Sequence, residues 1–286
     1  YKRQGITCME SGKYEDAVKA FQNALGESIG HIGEKELDIC FYKAKAQALD
    51  GKTKDALATY NAIIKYNKDA RAYYLRGDLY MDMGEEKKGR ADFESAVQQG
   101  KKNYEIYIGI YESLSRHEKK DEGQKYLSAA MEIKGDKPED ELYKGRISYL
   151  LGENKDAISY LEKAKEHKQM LASYYLGLAY DANGDSDKAK KCIAEYIKSG
   201  VATSYDLYEL GMQEMQDGNY KNALTYFNSG LELEKVPNKQ NLMKSAIAAY
   251  EYSGDFDSAK KMMKEYLKAY PDDEEAKHEN TFLETR

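Results

Sequence analysis

The sequence predicts an all-α protein, built as an array of repeated helical hairpins. Three observations support this fold class: a motif that recurs along the chain, apolar residues spaced three or four apart, and a composition typical of helices. Only three of the 286 residues are proline, 33% are charged and 41% are hydrophobic. This balance suits helices that bury one face and expose the other to solvent.

The recurring motif is a glycine turn followed five residues later by a small residue, and four residues after that by a large apolar one. The seven clear copies begin at Gly12, Gly51, Gly84, Gly152, Gly184, Gly218 and Gly254. A degenerate copy runs from Glu118 to Gly123, and successive copies begin 32 to 39 residues apart. A period of this length, repeated in register, indicates a solenoid of stacked units.

Each unit is predicted to hold two helices. The first carries apolar or small residues three or four positions apart, as in Tyr73, Gly77 and Tyr80. It ends at the turn glycine, which readily adopts the left-handed conformation that terminates helices. The second opens with Asp, Ser, Asn or Glu near its start and continues through the small and the large residue. The small residues allow two helices to approach closely, and the large residue fills the space beside them.

With this spacing the chain resembles the tetratricopeptide repeat family over residues 1–273. The residues that carry the resemblance are Gly77 with Tyr80, Gly177 with Tyr180, Ala17 with Phe21, Ala223 with Phe227, and a closing Pro271. The chain departs from the family pattern by lacking Trp and by placing Tyr111 and Ile247 where a small residue is usual. The fourth repeat also lacks its turn glycine, which leaves the helix angles around residues 104–123 open. The resemblance implies a right-handed α-solenoid of about eight helix-turn-helix repeats with a C-terminal capping helix.

The expected organisation is an array over residues 1–273 and a capping helix or tail over residues 274–286. The repeats are placed at about 1–36, 37–69, 70–103, 104–137, 138–169, 170–203, 204–239 and 240–273. Extra residues from Gly26 to Lys35 predict a longer helix or loop between the first two repeats. Tyr1 aligns part-way into a first helix, so we expect a segment upstream of it. An exported, possibly lipid-anchored protein and a cytoplasmic one are then equally compatible with the sequence.

Charge and hydropathy exclude several classes of function. The net charge is -6 and the pI is about 5.5, which gives no electrostatic basis for binding nucleic acid. No run approaches the roughly 18 apolar residues of a transmembrane helix.

Abundant Lys, Tyr and Asn with little Arg is typical of AT-rich bacterial genomes. The cysteines Cys8, Cys40 and Cys192 show no CxxC spacing and are predicted to be buried, unreactive thiols, although a bond between Cys8 and Cys40 stays open.

The sequence offers no catalytic or cofactor site. The histidines are scattered, without ligand spacing, and are expected on the surface: His31, His117, His167 and His278. No glycine-rich phosphate loop is present, and no acid, base and nucleophile assemble. We therefore expect a non-enzymatic protein without a cofactor or metal.

One turn resembles the start of a calcium loop, since Asp181, Asn183 and Asp185 occupy alternate positions. The sixth position of such a loop must be Gly and the twelfth must be Glu, but here they are Ser186 and Cys192. Equivalent turns elsewhere in the chain place lysine where Asp185 and Asp187 stand here, as at Lys52 and Lys54, and lysine does not bind calcium. The stretch is therefore interpreted as a connection between two helices.

The remaining candidate for function is a surface. In the tetratricopeptide family the inner, concave side of the array commonly binds peptides or protein segments. A stripe at i, i+4 and i+7 of each first helix is expected to line that side. The candidate partner-binding residues are Tyr74, Met81, Ile108, Leu142, Arg146, Tyr149, Tyr174, Leu178, Asp181, Tyr208, Met212 and Met215. Tyr and Met provide large, adaptable contacts.

The leading hypothesis is a protein–protein interaction scaffold whose groove, rich in Tyr and Met, holds a segment of an unknown protein or peptide. The Lys–Asn pattern by which some family members bind acidic chaperone tails is missing, since Lys2 is followed by Ile6 and Phe41 by Lys45. One alternative is a small-ligand or glycan-binding protein that uses the tyrosines as stacking platforms. Another is a self-assembling structural module.

Overall fold

The computed structural model describes residues 1–28, 32–135 and 137–286, and these residues form 17 α-helices and no strand. In chain order the helices are α1 (Lys2–Glu10), α2 (Tyr14–Gly26), α3 (Glu34–Leu49), α4 (Thr53–Asn67), α5 (Ala70–Asp82), α6 (Glu86–Gln99), α7 (Tyr104–Arg116), α8 (Lys120–Met131), α9 (Pro138–Leu151), α10 (Asn154–Glu166), α11 (Leu171–Ala182), α12 (Ser186–Lys198), α13 (Ser204–Gln216), α14 (Tyr220–Leu231), α15 (Lys239–Tyr252), α16 (Phe256–Ala269) and α17 (Glu274–Leu283). The predicted all-α fold class is confirmed.

The chain divides into two compact units, Tyr1–Lys198 (unit 1) and Ser199–Arg286 (unit 2). Within each unit, an odd-numbered helix packs against the even-numbered helix that follows it, so that each pair forms a hairpin. The odd-numbered helix of a hairpin is called its first helix and the even-numbered one its second helix. In unit 2 the last helix, α17, packs on α16 and buries Ala276 and Leu283.

Turn glycines end the first helices as the sequence predicts, since those from Gly12 to Gly254 have φ between +70° and +85°. The fourth hairpin has no turn glycine, and there Glu118 adopts φ +60° instead. The N–H of Lys119 donates to the Leu114 carbonyl at 2.8 Å, the same bond that Glu85 makes to Tyr80 one hairpin earlier. The turn that the sequence left open therefore has the same geometry as its neighbours.

Glu118 lies in a backbone conformation that costs a residue with a Cβ about 1–2 kcal/mol, because the Cβ crowds the carbonyl oxygen. We expect Glu118→Gly to raise the free energy of unfolding by about 0.5–1 kcal/mol, since the flexibility of glycine in the unfolded chain offsets part of the gain. Urea denaturation followed by circular dichroism measures the change. Gly152→Ala is the matched control: its φ is +82° and no atom lies within 4 Å of the added Cβ, so it should only destabilise. A less stable Glu118→Gly protein would contradict this account of the turn.

The small and large positions of the motif meet where the two helices of a hairpin cross. A Cβ built on Gly145 would lie 2.4 Å from Leu161, and one on Gly211 would lie 2.3 Å from Phe227. Tyr111 stands where the family usually has a small residue. The space for its ring is provided by Gly123 on the second helix, since a Cβ built on Gly123 would lie 3.1 Å from the tyrosine ring. In this hairpin the small residue at the crossing lies on the second helix, and the two helices still pack closely.

The longer connection between α2 and α3 spans Gly26 to Glu34, and residues 29–31, with the histidine at 31, lie outside the described residues. The three cysteines are free thiols, so Cys8 and Cys40 are not bonded. Cys192 is buried as predicted, but Cys8 and Cys40 are only partly buried. They pack at the edges of two different apolar clusters, which is why the prediction of full burial is wrong for them.

Candidate partner-binding surface

The candidate residues of unit 1 project from first helices that lie side by side, since α5 contacts α7 and α9 contacts α11. We name their solvent-facing sides the first-helix surface of unit 1. It is defined by Tyr74, Arg146, Tyr149, Tyr174, Leu178 and Asp181, of which Asp181 is exposed and the others are partly buried.

Arg146 joins three consecutive first helices. From α9, its Nη2 donates to Glu112 Oε1 of α7 at 2.9 Å and its Nη1 to Glu105 Oε2 at 3.5 Å. Its guanidinium also lies over the Tyr175 ring of α11, 5.5 Å from the ring centroid. Only 19% of the Arg146 side chain is exposed, and its charge is paired with two carboxylates of α7.

Other charges of the first helices in unit 1 are paired in the same way. Arg116 Nη2 of α7 lies 2.6 Å from Asp78 Oδ1 of α5. Lys2 Nζ of α1 lies 2.6 Å from Asp38 Oδ2 of α3. Opposite charges therefore face each other across these junctions, and each pair contributes on the order of 0.5 kcal/mol because it is partly exposed.

Tyr149 and Asp181 lie near the C-terminal ends of α9 and α11, two first helices that contact each other. Burial, and then the negative charge of Asp181, raise the pKa of the Tyr149 hydroxyl. Leu178 lies one turn before Asp181 on α11 and is partly buried. Together these three side chains offer an aromatic ring, an aliphatic group and a carboxylate on one part of the surface.

Two other tyrosines of this surface have larger packing roles. The Tyr174 ring lies 5.1 Å from Tyr175 and 5.3 Å from the buried Tyr196. Tyr74 fills the space over Gly109 of α7, where a Cβ would meet its hydroxyl oxygen at 2.8 Å. Burial raises the pKa of Tyr74 far above its usual value. Both rings therefore stabilise the hairpins as well as reaching the surface.

Three candidates do not reach an open surface. Met81 is 2% exposed, Ile108 is fully buried and Leu142 is 9% exposed. Each belongs to an apolar cluster between neighbouring helices. The physical reason is that a first helix packs both on its own second helix and on the next hairpin. Some residues that the i, i+4, i+7 spacing of a single helix places on the surface are therefore buried in the core.

In unit 2 the candidates Tyr208, Met212 and Met215 share one face of α13 and are partly buried against a single cluster. The Tyr208 ring lies 6.2 Å from Phe227, and Ser245 Oγ of α15 lies 3.6 Å from Met212 Sδ. These side chains therefore combine packing within unit 2 with partial exposure.

Sequence analysis did not single out Tyr175 or Glu105, which hold Arg146 in place. Both lie on first helices. Tyr175 directly follows the stripe residue Tyr174, and Glu105 lies three positions before the stripe residue Ile108. Only the packing of the next hairpin shows that they matter, since an i, i+4, i+7 stripe does not include them.

The histidine prediction holds for His167 and His278, which are exposed. His117 is partly buried instead, because its Nδ1 lies 2.8 Å from the Ser113 carbonyl oxygen and its Nε2 lies 3.3 Å from Asp82 Oδ1. It thus fixes the end of α7 against α5.

The turn between α11 and α12 is a connection, with Gly184 at φ +85° and an Asn183 amide that donates to Asp185 Oδ2 at 3.3 Å. Within residues 1–28, 32–135 and 137–286, no three His, Cys, Asp or Glu side chains converge in a way that could hold a metal ion. None of the helices in these ranges has the length and apolar character needed to cross a membrane.

Sequence models of the tetratricopeptide repeat match residues 3–63, 43–104, 171–199 and 240–273, which together span more than half of the chain. The chain belongs to the tetratricopeptide repeat family. No curated protein matches it closely. Repeat proteins of this family are typically non-enzymatic scaffolds that bind protein partners, and the family assignment supports this general function.

Several solved structures are similar to the chain at low sequence identity. A tetratricopeptide repeat protein from Parabacteroides merdae is 12% identical with a TM-score of 0.51, over 86% of this chain and 96% of that one. PilW, a type IV pilus biogenesis factor, is 18% identical with a TM-score of 0.48, over 73% and 97%. A chain of the APC/C hetero-tetramer Cut9–Hcn1 is 16% identical with a TM-score of 0.47, over 94% of this chain and 52% of that one. Only the first exceeds 0.5, and it supports the fold alone.

Proposed function

We propose that the protein holds an extended or helical segment of a partner protein on the first-helix surface of unit 1, centred on Tyr149, Leu178 and Asp181. The observation that carries the proposal is that Tyr149, Leu178 and Asp181 lie on two first helices in contact, none of them buried, beside an arginine engaged with Glu105 and Glu112. Recognition there depends on the aromatic ring, the aliphatic group and the Asp181 carboxylate.

The chemistry of this site suits a segment with one apolar side chain and one hydrogen-bond donor. Tyrosine supplies contact area at a low entropic cost, since only two side-chain torsions are fixed. Asp181 adds directional specificity by accepting an N–H or O–H bond. On the same reasoning Tyr208, Met212 and Met215 of unit 2 supply a separate contact, where methionine adapts to irregular partners.

The test is a triple variant, Tyr149→Ser, Leu178→Ser and Asp181→Asn, in the full chain. Peptides are first selected on the unchanged protein from a random phage-displayed library, and their affinities for both proteins are then compared. We expect binding to weaken at least about tenfold, because the variant removes the ring, the aliphatic group and the charge together. Circular dichroism should show unchanged helix content.

Tyr160→Ser on α10 is the matched control, since Tyr160 is a partly buried tyrosine of a second helix, and it should leave affinity unchanged. Equal affinity of the triple variant and the unchanged protein would show that this surface is not the binding site.

A glycan-binding protein is the second candidate, and one feature of unit 2 favours it. Tyr252 is 68% exposed and stacks on Tyr220, with ring centroids 5.4 Å apart, beside Asn219 and Asn222. Exposed rings flanked by amides are suited to stacking on and hydrogen bonding to sugars. Stabilisation of the protein by oligosaccharides, lost in Tyr252→Ser, would support this function over peptide binding.

A further inference from the structure

Unit 2 contains a cavity of about 420 Å³ between α15, α16 and α17. Its apolar lining includes Ile247, Ala248 and Met263, while the carboxylates of Glu251 and Glu279 also line it. The volume lies within the range of about 300–1,000 Å³ that is typical of ligand sites. A cavity lined by both apolar side chains and unpaired glutamates favours a ligand that is itself amphipathic and cationic.

The positive charge that borders this cavity is already neutralised. Lys244 Nζ lies 2.9 Å from Asp273 Oδ2 and 3.4 Å from Glu275 Oε2. Asp273 also accepts a hydrogen bond from the Tyr266 hydroxyl at 2.5 Å, which fixes the start of α17. Lys244 therefore holds α17, and its ion pairs are with Asp273 and Glu275 and not with Glu251 or Glu279.

The side chains of Glu251 and Glu279 line the same cavity without a counter-ion. Neither side chain forms an ion pair or hydrogen bond with another residue in the described parts of the chain, and the Oε1 atom of Glu251 is shielded from solvent. Burial, and then the charge of Glu279, raise the pKa of Glu251. In unit 1, by contrast, the paired charges across neighbouring first helices are opposite, as in Arg116 with Asp78.

Two like charges on partly buried side chains destabilise the free protein. Local features that oppose stability are expected where a protein binds something, since a ligand can supply the missing interaction. The missing interaction here is a cation with several hydrogen-bond donors.

We propose that this cavity receives an arginine side chain of a partner protein, with the guanidinium between Glu251 and Glu279 and the aliphatic stem over Ala248 and Met263. Arginine fits better than lysine because its planar guanidinium carries five N–H donors and can bond to two carboxylates at once. Its stem packs on apolar surface while its charge remains hydrogen-bonded. The inference rests on the proposed capture of protein segments, but it concerns a different surface.

The probe is the peptide acetyl-Ala-Arg-Ala-amide, titrated into the full chain and followed by the NMR shifts of amides in α15 and α17. The same peptide with citrulline has nearly the same shape without the charge, and a third peptide carries lysine. We expect the arginine peptide to bind about tenfold more tightly than the citrulline peptide, since charge-assisted hydrogen bonds are about twice as strong as neutral ones. The lysine peptide should bind with intermediate affinity.

Glu251→Gln and Glu279→Gln should each weaken binding of the arginine peptide about tenfold. Glu251→Gln should also raise the Tm of the free protein by about 1–3 °C, because it removes a charge that burial and Glu279 disfavour. The matched control is Glu265→Gln, since Glu265 is an exposed acid of α16 that does not line the cavity, and it should change neither property.

Three results would overturn the inference: equal binding of the arginine and citrulline peptides, equal binding of the arginine and lysine peptides, or equal losses in Glu251→Gln and Glu265→Gln. The variant of Tyr149, Leu178 and Asp181 should bind the arginine peptide normally. Failure at this cavity is thus distinguishable from failure of the proposed surface in unit 1.

Discussion

Phe227→Ala is expected to lower the free energy of unfolding of unit 2 by about 3–5 kcal/mol, the usual cost of removing a fully buried aromatic ring. Phe227 is 0% exposed and packs on Gly211, Tyr208 and the surrounding apolar cluster. Its ring fills the site where α13 and α14 cross, so the variant leaves a cavity that the close contact of the helices cannot collapse. Native-state hydrogen exchange of amides in α13 and α14 measures the loss within unit 2.

Phe282→Ala provides the control, since Phe282 belongs to the same unit but is 43% exposed on α17. It loses little buried area and one contact with Arg286, so the expected cost is below about 1 kcal/mol. If both variants cost the same, the small–large contact does not hold the hairpin together.

The same contact predicts a specific coupling. Gly211→Ala alone places a methyl group 2.3 Å from the Phe227 ring, and overpacking of this kind costs about 1–3 kcal/mol. In the double variant with Phe227→Ala, the methyl group enters the space that the ring has left. The double variant should therefore be more stable than the sum of the single effects predicts, by at least about 1 kcal/mol. Strict additivity would show that the two residues do not press on each other.

Asp92→Asn in unit 1 is the second large effect, with an expected cost of about 3–5 kcal/mol. Arg76 donates from Nε to Asp92 Oδ2 at 2.7 Å and from Nη2 to Oδ1 at 2.6 Å. Only 18% of the Arg76 side chain and 8% of the Asp92 side chain are exposed. Removing the carboxylate charge leaves a largely buried guanidinium without its counter-ion. Urea denaturation of the full chain measures the effect.

An exposed pair in the same unit gives the comparison. Lys19 Nζ lies 3.1 Å from Glu15 Oε1 on α2, with about 60% of both side chains exposed, at 61% and 62%. Glu15→Gln should cost less than about 0.5 kcal/mol because solvent screens the pair. Arg76→Met combined with Asp92→Leu should recover most of the stability lost in Asp92→Asn, since it removes both buried charges. A double variant no more stable than the single one would contradict this account.

The repeat pattern could be predicted from the sequence because it depends on local chemistry. Gly12 and its equivalents are needed for a positive φ, and small residues such as Gly211 are needed where Phe227 crosses. Both requirements involve residues at short, fixed separations along the chain, so the same residue types recur at regular positions in the sequence. Glu118 shows the limit of this reasoning, since its neighbours impose the turn geometry without the usual glycine.

The candidate surface could be predicted only in part. Tyr149 is partly buried and Asp181 is exposed, whereas Met81 and Ile108 are buried. Met81 occupies the same third position of its stripe as Tyr149 and Asp181, so the sequence could not separate them. What separates them is the packing of the next hairpin, which depends on contacts between residues about 34 positions apart.

The sequence by itself determined the all-α class, the repeat family and the helix pairing, because each follows from spacing within one hairpin. The tertiary structure decided which stripe residues are open, that Arg146 is held by Glu105 and Glu112, and that Glu251 of α15 and Glu279 of α17 line one cavity. Burial and electrostatic pairing are properties of neighbouring surfaces, and those surfaces exist only after the hairpins have packed.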